Sequence, residues 1–277
     1  MIFADVQISD AETANHYASD KVIPYIISEP THTIVHYDQI IKDIQNIMGR
    51  DNAKVLDFGC GTGMFVRRCI HAGLDAQGID HSPYVEVARD AFNLPLHCCD
   101  LVEAPFLPGQ FDVIFSHATF EHLYDPLFIG EALLRLLKPG GIVVFTAIPN
   151  FNTVSIRIFR NFYANTPPGH INYFTPTTLS NLFCRLGLKE VAVQTYGFDI
   201  WYLLGAAQRL SRSARNFFVN RVSETMTNQL NCELQILNEK LNNPRVHLGS
   251  KLIANLYAKG RIPGMGVSLY GLARKER

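Results

Sequence analysis

Two periodicities alternate along this chain. Short apolar runs at residues 55–58, 73–80, 96–99, 111–116 and 142–147 read as buried strands, the second closing on Asp80 and the third followed directly by Asp100. Between them the spacing changes to that of amphipathic helices, over residues 64–70, from about 82 onward, and over 126–137. The last of these bears Leu133, Leu134, Leu136 and Leu137 and is stopped by Lys138-Pro139-Gly140-Gly141. Ahead of the first run, Ile34, Val35, Ile40, Ile41, Ile44 and Ile47 predict a helix over 31–48, with Thr31 as its cap. Beyond the fifth, Thr175 caps a further helix ending near Gly187, and residues 188–196 alternate as a sixth strand. Residues 265–273 supply a seventh, expected to pair antiparallel with the sixth. The order describes an α/β fold: a seven-stranded, mostly parallel sheet with an antiparallel last strand and helices on both faces.

Residues 200–262 interrupt that pattern where a short hairpin would suffice. Trp201, Leu203, Leu204, Leu210, Phe217, Phe218 and Val222, interleaved with Arg209, Arg212, Arg215 and Arg221, predict an amphipathic basic helix, and residues 220–241 and 250–259 have helical character too. The expected organisation is an N-terminal lid and helix over 1–50, a core over 51–199, a helical insertion over 200–262, and a final core strand and tail over 263–277. Net charge is zero, which leaves no overall basic footprint for nucleic acid. The zero conceals two electrostatic parts. Through residue 199 there are 13 Lys and Arg against 21 Asp and Glu, whereas residues 200–262 carry 9 against 3. The insertion could therefore serve a homodimer, an anionic acceptor or a peripheral membrane contact. Cysteines at 60, 69, 98, 99, 184 and 232 lack paired C-x-x-C spacing and read as reduced thiols. With no basic leader and no span-length apolar run, a cytoplasmic protein is expected.

Candidate chemistry concentrates at the end of the first strand, in Val55-Leu56-Asp57-Phe58-Gly59-Cys60-Gly61-Thr62-Gly63. Glycines at every second position let the backbone take positive φ and approach a ligand at a helix N-terminus. A dinucleotide turn would place its third glycine one residue later, where Met64 stands. Asp57 suits a ligand carrying an ammonium group better than one carrying a pyrophosphate. A glycine turn with no ligand is the plain alternative. Asp80, about 20 residues after the turn, stands where a nucleotide site places the carboxylate that accepts from ribose hydroxyls. It could instead cap the helix starting near Ser82-Pro83.

Asp-x-Gly-x-Gly-x-Gly resembles the first motif of class I S-adenosylmethionine-dependent methyltransferases, whose sheet is Rossmann-like. The resemblance continues through Glu121-His122-Leu123-Tyr124-Asp125-Pro126, the run Leu136-Leu137-Lys138-Pro139-Gly140-Gly141, and Pro149-Asn150 followed by Gly169-His170-Ile171-Asn172-Tyr173-Phe174-Thr175. It covers residues 53–198 and 264–275, and the pairing of Pro-Asn with the later Gly-His-x-x-x-Phe-Thr resembles members that modify quinone precursors, sugars, glycans and other small metabolites. It implies S-adenosyl-L-methionine as cofactor, held by Asp57, Gly59, Cys60, Gly61, Gly63, Asp80, His81, Asp100, Leu101 and Ser116, with Asp100 and the Leu101 backbone meeting adenine. Tyr17 in the lid, His117, Glu121 and Tyr173 are the expected substrate residues. After the fourth strand the chain reads Ser116-His117-Ala118-Thr119, which matches neither type of DNA methyltransferase, so nucleic acid is not an expected substrate.

A sulfonium cofactor carries the hard chemistry, which leaves the protein to position an acceptor and remove its proton. Histidine suits that task, and His122 and His170 are the catalytic candidates, His122 first because it directly follows the fourth strand. O-methylation of a sugar, phenol or natural-product scaffold is the leading expectation. A catalytically silent cofactor-binding module that contacts a partner through the basic insertion is the alternative. Glu121, His122 and His117 could supply metal ligands, but their spacing is not distinctive and no metal is expected.

Overall fold

A computed structural model of the chain describes residues 2–3, 31–153, 156, 169–196 and 268–276. Tyr17 and the 200–262 insertion lie outside them. The elements, in chain order, are β1 (Ile2–Phe3), α1 (Thr31–Met48), β2 (Lys54–Phe58), α2 (Met64–His71), β3 (Asp75–Asp80), α3 (Tyr84–Phe92), β4 (Leu96–Cys98) and β5 (Phe111–His117). A 3-10 turn over Phe120–His122 follows, then α4 (Pro126–Leu136), β6 (Leu137–Pro149), β7 (Asn172–Tyr173), α5 (Pro176–Arg185), β8 (Lys189–Tyr196) and β9 (Ser268–Arg274).

Seven strands form one sheet in the order β4-β3-β2-β5-β6-β9-β8. β2 through β6 run parallel, and β9 lies antiparallel between β6 and β8. The expected pairing of the last two strands holds, and β9 also closes against β6. Two apolar clusters show why helices cover both faces. One gathers Ile40, Ile44, Phe65, Val66, Val85 and Ala88 from α1, α2 and α3; the other gathers Leu133, Leu136, Leu179 and Phe183 from α4 and α5. β5, covered on both faces, is buried at every position from Phe111 to Ser116, as a central parallel strand must be.

The Pro-Gly-Gly segment differs from the sequence expectation. The helix does stop before it, at Leu136, but β6 starts already at Leu137, which pairs with Phe111. Pairing resumes with Ile142 opposite Val113, so residues 138–141 form a bulge within the strand rather than a turn ahead of it. Lys138 within the bulge reaches Asp112 Oδ1 at 2.8 Å, and Lys275 Nζ donates to the Leu134 and Leu137 carbonyls at 2.7 Å each, satisfying the end of α4.

The chain runs from β2 outward to β4, then returns to the other side of β2 as β5. This reversal leaves a crevice outside the carboxyl ends of β2 and β5, where open α/β sheets bind ligands. A second sheet, not anticipated from the sequence, pairs β1 with β7, Ile2 opposite Tyr173 and Phe3 opposite Asn172. Two residues on each side are too few to carry a periodic signal.

Candidate functional site

The chain leaves β2 and β5 side by side, and the two exits interlock. Gly59, Gly61 and Gly63 all take positive φ, at 77°, 50° and 71°. At Gly59 space also forbids a side chain, because a Cβ would come 2.2 Å from Thr119 Oγ1 in the loop after β5. At Gly61 a Cβ would meet nothing within 4 Å, so that side of the turn is open. Asp80, at the end of β3, ties the turn down: its Oδ2 accepts from the Gly61 N–H at 2.9 Å and its Oδ1 from the Ser82 N–H at 2.8 Å. α3 has Pro83 at its N-cap and no side-chain cap, so Asp80 anchors the turn rather than capping that helix. A carboxylate has lone pairs to spare, and with its side chain 15% exposed Asp80 can accept from two hydroxyls as well.

Asp57 is 3% exposed, and its Oδ1 has no hydrogen-bond partner among the described residues. Burial, and secondarily the charge of Asp80, push its carboxyl well above the usual range. A buried, unsatisfied acceptor beside an open glycine turn is the environment an ammonium or N–H donor would relieve. Burial likewise drives the Cys60 thiol far up, so Cys60 acts as packing and backbone, not as a thiolate. His81 is exposed, with Nδ1 3.9 Å from Asp80 Oδ1. Exposed Asp100 and half-buried Leu101 lead off the turn after β4, on the far side of Asp80. Ser116 is buried and donates to the Phe58 carbonyl at 2.9 Å, fastening β5 to β2 beside the turn.

A second group lies beyond β5. Ala118 takes a φ of 51°, a left-handed conformation uncommon for a residue with a Cβ, and the chain then enters the 3-10 turn carrying Glu121 and His122. The loop ahead of β7 packs on that turn. Ile171 N–H donates to the Glu121 carbonyl at 3.0 Å, Asn172 Nδ2 donates to the Leu123 carbonyl, and the Tyr173 hydroxyl donates to the His170 carbonyl at 3.0 Å. The outcome is a compact trio, in which one donor atom each from Glu121, His122 and His170 lies within 4.8 Å of the others. The His122 and His170 rings meet edge to face at 4.5 Å.

The trio's electrostatics follow from burial. Glu121, 1% exposed, is pushed up to about 8 by burial, opposed by a backbone hydrogen bond. His170, 7% exposed, is lowered to about 4 by burial and then by His122. His122 Nδ1 faces the Gly169 carbonyl. A carbonyl can only accept, so Nδ1 carries the proton, and in the neutral ring Nε2 keeps its lone pair.

His117 stands apart from the trio. Its Nδ1 pairs with Thr146 Oγ1 at 2.9 Å, and its ring lies 5.1 Å from Tyr37, edge to face. Tyr196 closes this side by accepting the Ala147 N–H at 2.8 Å, where Ala147 holds a φ of 60°. The sequence expectation set His117 beside Glu121 and His122 as possible metal ligands, whereas the fold groups His170, not His117, with them. Thr119 and Asn172 were not legible in advance, because nothing in a local pattern marks a wedge or a clamp between distant loops.

Residues 34–193, more than half the chain, match the methyltransferase domain family. The chain belongs to this family. Both groups of site residues fall inside the matched span. A ubiquinone biosynthesis O-methyltransferase of Psychrobacter cryohalolentis is 33% identical over 110 residues, covering 36% of this chain and 43% of the relative. A malonyl-[acyl-carrier protein] O-methyltransferase of Acetivibrio thermocellus is 32% identical over 110 residues, 38% of each. The chain spans less than half the length of these curated relatives. Among solved structures, a Burkholderia thailandensis 1,6-didemethyltoxoflavin-N1-methyltransferase shares the fold, with a TM-score of 0.55 over 99% of this chain and 94% of that one at 13% identity. The methyltransferase has the class I fold, and its cofactor is S-adenosyl-L-methionine. Its residues fit that group: Asp57 offers an unsatisfied buried acceptor, Gly61 an open backbone face, and Asp80 a carboxylate at the strand end.

Proposed function

We propose that this methyltransferase methylates an oxygen of a small hydroxyl-bearing acceptor, a sugar, phenol or natural-product scaffold, with His122 receiving the acceptor's proton. The observation that carries the reading is the setting of His122: Nδ1 faces the Gly169 carbonyl, an acceptor that fixes the ring proton there, and Nε2, 3.9 Å from Glu121 Oε1, carries the lone pair beyond the carboxyl end of β5. When bound, S-adenosylmethionine supplies an electrophilic methyl on a sulfonium, and transfer leaves the C–S electron pair on sulfur as a neutral thioether. Asp57 and Asp80, with the glycine turn between them, would hold its polar ends. Asp100 and the Leu101 backbone would meet its adenine.

The remaining requirement is proton removal. A neutral amine can attack without prior deprotonation, whereas a hydroxyl oxygen is a poor nucleophile until its proton moves, so a positioned base favours oxygen as the acceptor atom. The Psychrobacter and Acetivibrio relatives, both O-methyltransferases, support the same reading. Glu121 and His170 wall His122 on its buried side, and Tyr173 fixes the loop that carries His170.

His122→Ala is expected to lower the single-turnover rate of methyl transfer by about 10²–10⁴-fold, the usual range for a general base, while cofactor affinity stays nearly unchanged. An unaltered rate overturns the assignment. Cofactor binding without transfer to any acceptor would support the silent module instead.

A further inference from the structure

The trio beyond β5 holds more unsatisfied donor atoms than a lone base requires. Glu121 Oε2 and His170 Nδ1 are both buried, and neither has a hydrogen-bond partner among the described residues. One ligand atom each from Glu121, His122 and His170 lies within 4.8 Å of the others. Two unsatisfied groups more than nine-tenths buried in one such cluster are costly unless something binds there. We propose that Glu121, His122 and His170 form a binding site for a divalent transition-metal cation.

The donor set selects the class of ion. Two imidazole nitrogens with one carboxylate oxygen suit zinc, manganese, iron or cobalt, while magnesium and calcium favour all-oxygen shells. Three protein ligands with one side left open is the arrangement of a catalytic rather than a structural site, and here His122, 27% exposed, forms the open side. The outer contacts are also in place. A metal-bound histidine typically donates its other ring N–H to a carbonyl or carboxylate, which fixes the tautomer; His122 Nδ1 faces the Gly169 carbonyl. The backbone link from Ile171 to Glu121 and the Asn172 clamp on Leu123 hold the two ligand-bearing loops together before any ion arrives. Bonds of about 2.0–2.2 Å to one ion bring its ligands to roughly 3.0–3.5 Å from each other, so the side chains draw in by about an ångström on binding. The sequence concealed the site because Glu121-His122 and His170 stand in different loops and share no metal spacing.

The consequence for catalysis rests on the proposed function above. An ion here would take the acceptor's oxygen as a further ligand and favour its ionised form, with His122 Nε2 then a ligand instead of the base. Binding itself stands independently of that reading.

The test is calorimetric titration of the chelator-stripped full chain with Zn²⁺ and Mn²⁺, together with the visible absorption of Co²⁺ added to the same protein. One equivalent is expected to bind, with affinity falling at least tenfold in His170→Ala and in Glu121→Gln. His122→Gln, at the partly exposed position, guards against loss of folding, and cofactor binding reports that each variant is folded. Absence of stoichiometric binding, or binding undiminished in folded variants, overturns the site. If no ion binds yet His122→Ala still slows transfer, the site fails and the base reading survives. If an ion binds at the trio and no acceptor is methylated, the site stands and the proposed function fails.

Discussion

Asp57 is buried in the sheet's ligand end with one oxygen lacking a hydrogen-bond partner among the described residues, and both its burial and the neighbouring Asp80 oppose its charge. A group kept in that state lowers stability in return for function. Because its folded pKa lies above the unfolded value, the stability it contributes is fully present below the unfolded pKa and is lost as pH rises through the folded one. Asp57→Asn is therefore expected to raise the thermal midpoint, by an amount that grows with pH, while weakening cofactor binding about tenfold or more, as loss of a charged hydrogen-bond acceptor does. Thermal melts across pH and a cofactor titration check both halves. Asp80→Ala should cost binding about 1–3 kcal/mol, since Asp80 also holds the Gly61 amide in the turn; unchanged affinity would contradict its role. These two carboxylates were legible in the sequence because each sits at a fixed place relative to a strand end and a glycine turn. The grouping of His170 with His122 was not, since the two meet only through the tertiary contact between separate loops.

Among the elements, β5 and β6 were readable as apolar runs, but their joint start was not. The bulge at residues 138–141 keeps Lys138 over Asp112, which also accepts from the Lys54 N–H at 2.8 Å and pairs with Arg50. Burial alone would raise the Asp112 carboxyl, yet the Lys138 and Lys54 hydrogen bonds and the Lys138 and Arg50 charges outweigh it and hold it below the ordinary value. A depressed pKa gives stability that is present above the unfolded value, near 3.8, and is lost as pH falls through the folded one. Asp112→Asn is expected to cost about 1–3 kcal/mol at neutral pH and progressively less in strong acid. Denaturant melts of both proteins at pH 7 and below pH 3 test this, and an equal difference at both would contradict it. Charge pairing across a bulge leaves no period in the sequence, so only the apolar parts of these strands could be anticipated.

On the scale of the whole molecule, the reversal in strand order places the glycine turn and the His122 loop at one crevice. The element order was readable because strands and helices differ in period; the insertion of β9 between β6 and β8 was not, because either pairing satisfies the same alternation. Tyr196 pairs with Ser268, so the long segment between them leaves and returns at one point. Since β8 runs parallel to β6, that point lies at the sheet's carboxyl end, with the Tyr196 hydroxyl on the Ala147 amide. Replacing residues 200–262 with a short turn is expected to spare cofactor binding and to abolish or redirect acceptor turnover. Full activity in the folded, shortened protein would exclude a pocket role, and a change confined to oligomeric state would make the segment an interface. The most direct measurement of all is transfer from cofactor carrying an isotopically labelled methyl to a panel of phenols and sugars, with the position of the label in the product read by NMR. A labelled methyl ether formed by the wild-type chain and lost in His122→Ala is the expected result; label on nitrogen, or an ether formed equally well without His122, would contradict it.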